Sequence, residues 1–128
     1  VEAIMASVLV VEDEREVLEM LLDVIREEGH EAVGVERTSQ ALDLVDHLHP
    51  DLIILDVVMP PREVDGIEFL FRLRRKPRAA DIPVMVISGL AGVINPQAAG
   101  HLGVRSLHPK PVAADELLGQ IKSILTHA

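Results

Sequence analysis

Three short runs are apolar at every position: 8–11 in "SVLVVE", 52–55 in "DLIILD" and 84–87 in "IPVMVIS". A strand with one wet face alternates apolar and polar residues. An unbroken apolar run of strand length is instead buried on both faces, as in a parallel sheet covered by helices. The stretches between these runs have helical spacing. "EREVLEMLLDVIREEG" places Val17, Leu18, Leu21, Leu22 and Ile25 on one face, with Gly29 as its stop. "EAVGVE" (31–36) reads as a second, weaker strand. "TSQALDLVDHLHP" follows, with Thr38 or Ser39 as cap and Ala41, Leu42, Val45 and Leu48 facing inward. "GIEFLFRLRRKP" (66–77) puts Ile67, Leu70 and Leu73 on one side, with basic residues in its last turn. "INPQAAGHLG" suggests a short helix with Asn95 as cap and Pro96 at its first position. "VRSLH" (104–108) is a fifth strand. "AADELLGQIKSIL" (113–125) closes with Leu117, Leu118, Ile121, Ile124 and Leu125 inward. Five strand–helix units in one chain imply an α/β fold with a parallel sheet between two helix layers. The 128 residues fit one domain over 1–128, with 1–6 expected as a flexible leader.

Composition removes several classes of function. Two Phe and no Tyr or Trp leave an aliphatic core and no platform for stacking bases. A net charge of −9 has the wrong sign for a phosphate-backbone binder. Without cysteine there is no disulfide, thiolate zinc site or cysteine nucleophile. Residues 82–104 contain no Lys, Arg, Asp or Glu. Pro83, Gly89, Gly92, Pro96, Gly100 and Gly103 break that segment, so it reads as strand, loop and weak helix rather than a bilayer span. No secretory signal is evident, and a cytoplasmic location is expected.

Ligands of open parallel sheets bind at the carboxyl ends of the strands. The first strand ends in Glu12-Asp13, the third in Asp56 and the fourth in Ser88, and Lys110 follows the fifth. Each residue alone has an ordinary reading. Asp13 would be a helix cap, Ser88 a loop-start hydroxyl and Lys110 a solvated lysine. Together, at the ends of four strands, they make a coherent site. Clustered carboxylates repel unless a cation sits among them, and hard oxygen donors suit Mg²⁺ better than zinc. Asp56 can then act as a carboxylate nucleophile toward phosphorus, with metal and lysine neutralising the transferring group.

These residues carry a resemblance. "VLVVEDE", "PDLIILDVVMP", "DG" at Asp65-Gly66, "IPVMVISG" and "KP" at Lys110-Pro111 stand in the order found in response-regulator receiver domains, the phosphoacceptor modules of two-component signalling. The likeness covers about residues 7–126 and implies a flavodoxin-like sheet of order 2-1-3-4-5. It implies that Asp56 is phosphorylated. Asp13, Asp56 and the Val58 carbonyl would bind Mg²⁺ directly, with Glu12 acting through water. Ser88 and Lys110 would contact the phosphoryl group, and the Lys110-Pro111 bond would be cis. The donor would be a histidine kinase or histidine phosphotransfer domain. The module would be a complete regulator or part of a longer protein, passing its signal to an output domain or downstream protein. Homodimerisation is common in the family; contact with nucleic acid or membrane is not expected.

Some features depart from the family pattern. "VVMPPREVD" is two residues longer than the common spacing, with the extension around 61–64. Leu107 stands where the family often has a switching Tyr or Phe. Val58 and Leu90 are apolar where side chains influence attack of water on the phospho-aspartate, so a long-lived phosphorylated state is expected. His47 and His49 read as solvated, and His108 as an ordinary edge-strand side chain. The alternatives are a non-phosphorylated degenerate receiver or binding module, and a haloacid dehalogenase-type phosphatase. The phosphatase would want a second Asp where Val58 stands.

Overall fold

The computed structural model describes residues 5–56, 66–89 and 95–126. Strands β1 (Ser7–Val11), β2 (Glu31–Val35), β3 (Leu52–Asp56), β4 (Val84–Ser88) and β5 (Val104–Pro109) alternate with helices α1 (Arg15–Glu27), α2 (Thr38–Leu48), α3 (Gly66–Arg74), α4 (Pro96–His101) and α5 (Ala114–Thr126). All strand pairs are parallel, in the order β2-β1-β3-β4-β5. The fold class and strand order expected from the sequence are therefore both present.

The unbroken apolar runs are buried on both sides, and their residues divide by parity. Val8, Val10, Leu52, Ile54, Met85 and Ile87 pack with Leu21 and Ile25 of α1 and with Leu117, Ile121 and Ile124 of α5. Leu9, Val11, Ile53, Leu55, Val84 and Val86 pack on the other side with Ala41 and Val45 of α2 and Phe69, Leu70 and Leu73 of α3. Full burial of one such Leu or Ile stabilises by about 1.5–3 kcal/mol. β3 lies at the centre of the sheet with all five residues buried, so it is held on both edges and both faces.

Local details differ from the sequence expectation at a few positions. Arg37, not Thr38 or Ser39, holds the N-cap position of α2, and Thr38 opens the helix fully buried. On α3 the buried aromatic is Phe69, while Ile67 is half-buried. Asn95 caps α4 as expected, its Oδ1 accepting from the N–H groups of Gln97 and Ala98. Gly29 takes a φ of 99° just past α1, the left-handed stop that glycine permits. Ala6, placed by sequence in a flexible leader, is buried; its carbonyl accepts from Glu31 N–H at 2.9 Å. Residues 1–4 of that expected leader lie outside the described residues.

At the opposite end of the sheet from the carboxyl tips, Arg74 ties α3 to the start of β5. Its guanidinium donates to the carbonyls of Leu102 at 2.7 Å and Ala79 at 2.9 Å. Gly103, with φ 80°, lies directly against that guanidinium, and a Cβ there would overlap it. Gly103→Ala is expected to destabilise by at least about 1–2 kcal/mol, from the left-handed backbone alone. Gly119 in α5 has open space around it, so Gly119→Ala should stabilise by about 0.5–1 kcal/mol. Urea denaturation of the two variants should move the midpoint in opposite directions.

Candidate functional site

Parity and register assemble the polar cluster. Val8, Val10 and the next residue of that parity, Glu12, continue one face of β1; Leu52, Ile54 and Asp56 do the same on β3. Val11 pairs with Leu55, which sets Glu12 beside Asp56. The Glu12 N–H donates to the Val35 carbonyl at 3.0 Å, extending the ladder one residue past β1. Asp56 pairs with Ile87, and Ser88 with Pro109. The Lys110 N–H then donates to the Ser88 carbonyl at 2.9 Å. The sheet thus delivers Glu12, Asp56, Ser88 and Lys110 to one edge.

The Lys110 ammonium is the hub. Its Nζ lies 2.6 Å from Glu12 Oε1, 3.1 Å from Asp56 Oδ2 and 3.4 Å from Glu14 Oε1. Glu12 is fully buried, Asp56 and Ser88 nearly so, while Glu14 is exposed. The Asp56 contact is a directed hydrogen bond. The closer Glu12 contact is a charge pair off the hydrogen-bond direction, so Glu12 Oε1 has no directed donor among the described residues. The other oxygen, Glu12 Oε2, accepts from Glu14 N–H at 3.3 Å.

Burial pushes the Glu12 carboxyl up from 4.5 to about 7; Lys110 pulls it down and Asp56 adds to the rise. Burial works against the charged form of Lys110, but its contacts with Glu12 and Asp56 outweigh this and hold its pKa above the ordinary lysine value. Lys110 therefore stays a cation, and the Glu12 carboxyl is raised toward neutral pH.

Glu12, Asp13 and Asp56 each bring one carboxylate oxygen within 4.8 Å of the others. Asp13 is not the cap of α1. Glu14 occupies that position, without a side-chain cap bond, which leaves the Asp13 carboxylate with the cluster. The donor set is hard, acidic and partly buried. It includes a buried oxygen without a directed donor, so the residues fit a divalent cation that prefers oxygen. Val58, expected to add a carbonyl, lies outside the described residues, as do Leu90 and the 61–64 extension.

The sequence-derived set of Glu12, Asp13, Asp56 and Lys110 is brought together, and Ser88 ends the neighbouring strand. The expected cis bond at Lys110-Pro111 is present. Sequence reasoning missed Glu14 as a third acid on Lys110; the signal was its place in the run Glu12-Asp13-Glu14. His108 lies on the edge strand β5, as read from the sequence, and has a further contact. The side chain is 9% exposed, and Nδ1 lies 3.2 Å from Glu116 Oε1 on α5. Leu107 is half-buried on the α2–α3 side of the sheet. No helix among the described residues is long and apolar enough to cross a membrane.

Comparison with known proteins agrees with this geometry. Residues 8–122 match the family model described as the response regulator receiver domain. The phosphate regulon transcriptional regulatory protein PhoB of Pseudomonas aeruginosa is 30% identical over 93% of the chain, which spans 51% of PhoB. The chain thus covers about half the length of that regulator. The polar-differentiation response regulator DivK of Brucella ovis is 30% identical over 95% of the chain and 98% of its own length. Among solved structures, NtrX of Brucella abortus superposes with a TM-score of 0.87 at 26% identity, over 97% of this chain and 28% of that one. By its family match, its strand order and its relatives, this chain belongs to the response regulator receiver domain family.

Proposed function

We propose that the chain is a phosphoacceptor in a two-component or phosphorelay pathway, with Asp56 as the accepting residue. The observation that carries this reading is the contact of Lys110 Nζ with Asp56 Oδ2 at 3.1 Å, inside the cluster of Glu12 and Asp13. In the proposed step an Asp56 carboxylate oxygen forms a bond to phosphorus. The phosphorus–nitrogen bond of a phosphohistidine breaks, and its electron pair stays on the departing imidazole, which takes up a proton. The histidine belongs to a kinase or phosphotransfer domain. The chain is a signalling module and not a conventional enzyme.

β3 holds Asp56 rigidly, which keeps the nucleophile aligned. Lys110 pairs with Asp56 at rest and shifts toward a phosphoryl oxygen after transfer. The Ser88 hydroxyl donates to the same group, coupling phosphorylation to the end of β4. Asp13 and Asp56 would hold Mg²⁺ directly, with the Val58 carbonyl, and Glu12 would act through water. When bound, Mg²⁺ would neutralise charge developing on the transferring phosphoryl group. With Leu107 in place of an aromatic switch, the output is a small packing shift across α4, β5 and α5, read by an output domain, a downstream protein or a second copy.

Incubation with acetyl phosphate and Mg²⁺, followed by intact mass measurement, should show the gain of one phosphoryl group. Asp56→Asn should show none. Followed after donor removal, the adduct should decay slowly, and Val58→Asn should hasten the loss. An unchanged mass in the wild-type chain, or an adduct that persists in Asp56→Asn, would overturn the reading.

The raised Glu12 value gives a pH dependence. A proton on Glu12 competes with the cation, and it leaves as pH rises through about 7. Mg²⁺ affinity should therefore climb from about pH 6 to about pH 8 and flatten above. In Glu12→Gln the climb should largely vanish. Calorimetric Mg²⁺ titrations across that range check the slope; equal affinity throughout in the wild-type chain would contradict it.

A further inference from the structure

On the half-buried strand β5, Ser106 and His108 each carry a buried polar atom that phosphoryl transfer does not use. Ser106 pairs in register with Met85, and His108 with Ile87. Met85 and Ile87 belong to the core under α1 and α5, so Ser106 and His108 lie on the face that α5 covers. Ser106 Oγ and His108 Nε2 are buried, with no hydrogen-bond partner among the described residues. The other ring nitrogen, Nδ1, lies 3.2 Å from Glu116 Oε1. A carboxylate only accepts, so Nδ1 donates in this contact, and Nε2 is left buried without a partner among the described residues. Packing alone does not account for such a residue, since an apolar side chain would fill the place without an unpaired nitrogen.

The pair instead encloses something. His108 precedes Lys110 and Glu116 follows it, so their contact closes the segment that presents the ammonium to Glu12 and Asp56. Glu116 is the group placed to hold the ring. β4 has no titratable residue from Val84 to Ser88, α4 has only His101, and α5 adds Asp115 and Lys122. On β5 itself the other charged residue is Arg105. The closed segment is anchored by the Lys110 N–H bond to Ser88 O and by the buried side chain of Val112.

We propose that His108 and Glu116 are positioning residues: their contact clamps the Lys110 segment and holds its ammonium in register with Asp56. The consequence for phosphorylation rests on the phosphoacceptor reading above, while the clamp itself can be read without phosphorylation. The test compares the wild-type chain with His108→Leu, Glu116→Ala and Glu116→Gln. Amide hydrogen exchange at Lys110 should quicken about five-fold in His108→Leu and Glu116→Ala, the equivalent of one net hydrogen bond. Glu116→Gln, which keeps an acceptor, should restore the wild-type rate. Urea resistance of His108→Leu should equal or exceed that of the wild-type chain, because the unpaired nitrogen is gone; a merely structural residue would move stability and rate together. Initial phosphorylation rates with acetyl phosphate should fall about five-fold in the two disrupting variants. Wild-type exchange at Lys110 in both variants would overturn the clamp, and wild-type phosphorylation rates in both would overturn its positioning role. Faster exchange in the variants of a chain that takes up no phosphoryl group would support the clamp and overturn the phosphoacceptor reading instead.

Discussion

A single ammonium compensates the carboxylates at the tip of the sheet. Lys110 lies within 3.1 Å of two nearly or fully buried acids, Glu12 and Asp56. Without it, two adjacent carboxylates would share a dry site with no counter-charge, an arrangement that drives one of them to hold a proton. Even with it, Glu12 is pushed up to about 7. Burial is the larger cause of that rise, and Lys110 offsets only part of it. The hydrophobic layers serve this arrangement by fixing where each charge sits.

That fixing follows from period-two geometry. β1 and β3 are apolar on both faces for four residues, and each turns polar at its carboxyl end, at Glu12 and Asp56. The pairing of Val11 with Leu55 makes these two residues neighbours. A slip of one residue would send Asp56 toward the α2–α3 side and away from Lys110. Burial of β3 on both faces makes such a slip prohibitive, because all of its apolar residues would exchange sides. Stability and site geometry thus come from the same packing.

Much of this was legible in the residues. Continuous apolar runs cannot belong to a half-solvated sheet, so the parallel α/β class followed from 52–55 and 84–87. The acidic pair, the aspartate, the hydroxyl and the lysine were found because open sheets place ligands at strand ends. Other features were hidden because they depend on how elements close in space. Phe69 replaces Ile67 as the inward residue because the sheet surface, rather than helical spacing alone, decides which part of the α3 face is covered. Arg37 displaces Thr38 at the cap because Thr38 is drawn into the protein interior. The contact of His108 with Glu116 was hidden because it joins the edge strand β5 to α5, which periodicity cannot reveal. The contact of Glu14 with Lys110 depends on the path of the chain into α1.

The account stands on burial raising the Glu12 carboxyl and Lys110 restraining that rise. Carboxyl-carbon NMR of the metal-free protein, titrated with pH, reports Glu12 directly. The wild-type residue should titrate near 7, and in Lys110→Met its midpoint should move upward, since the neutralising partner is gone and Asp56 remains. A Glu12 midpoint at the ordinary carboxylate value of 4.5, or one that Lys110→Met leaves in place, would contradict the account.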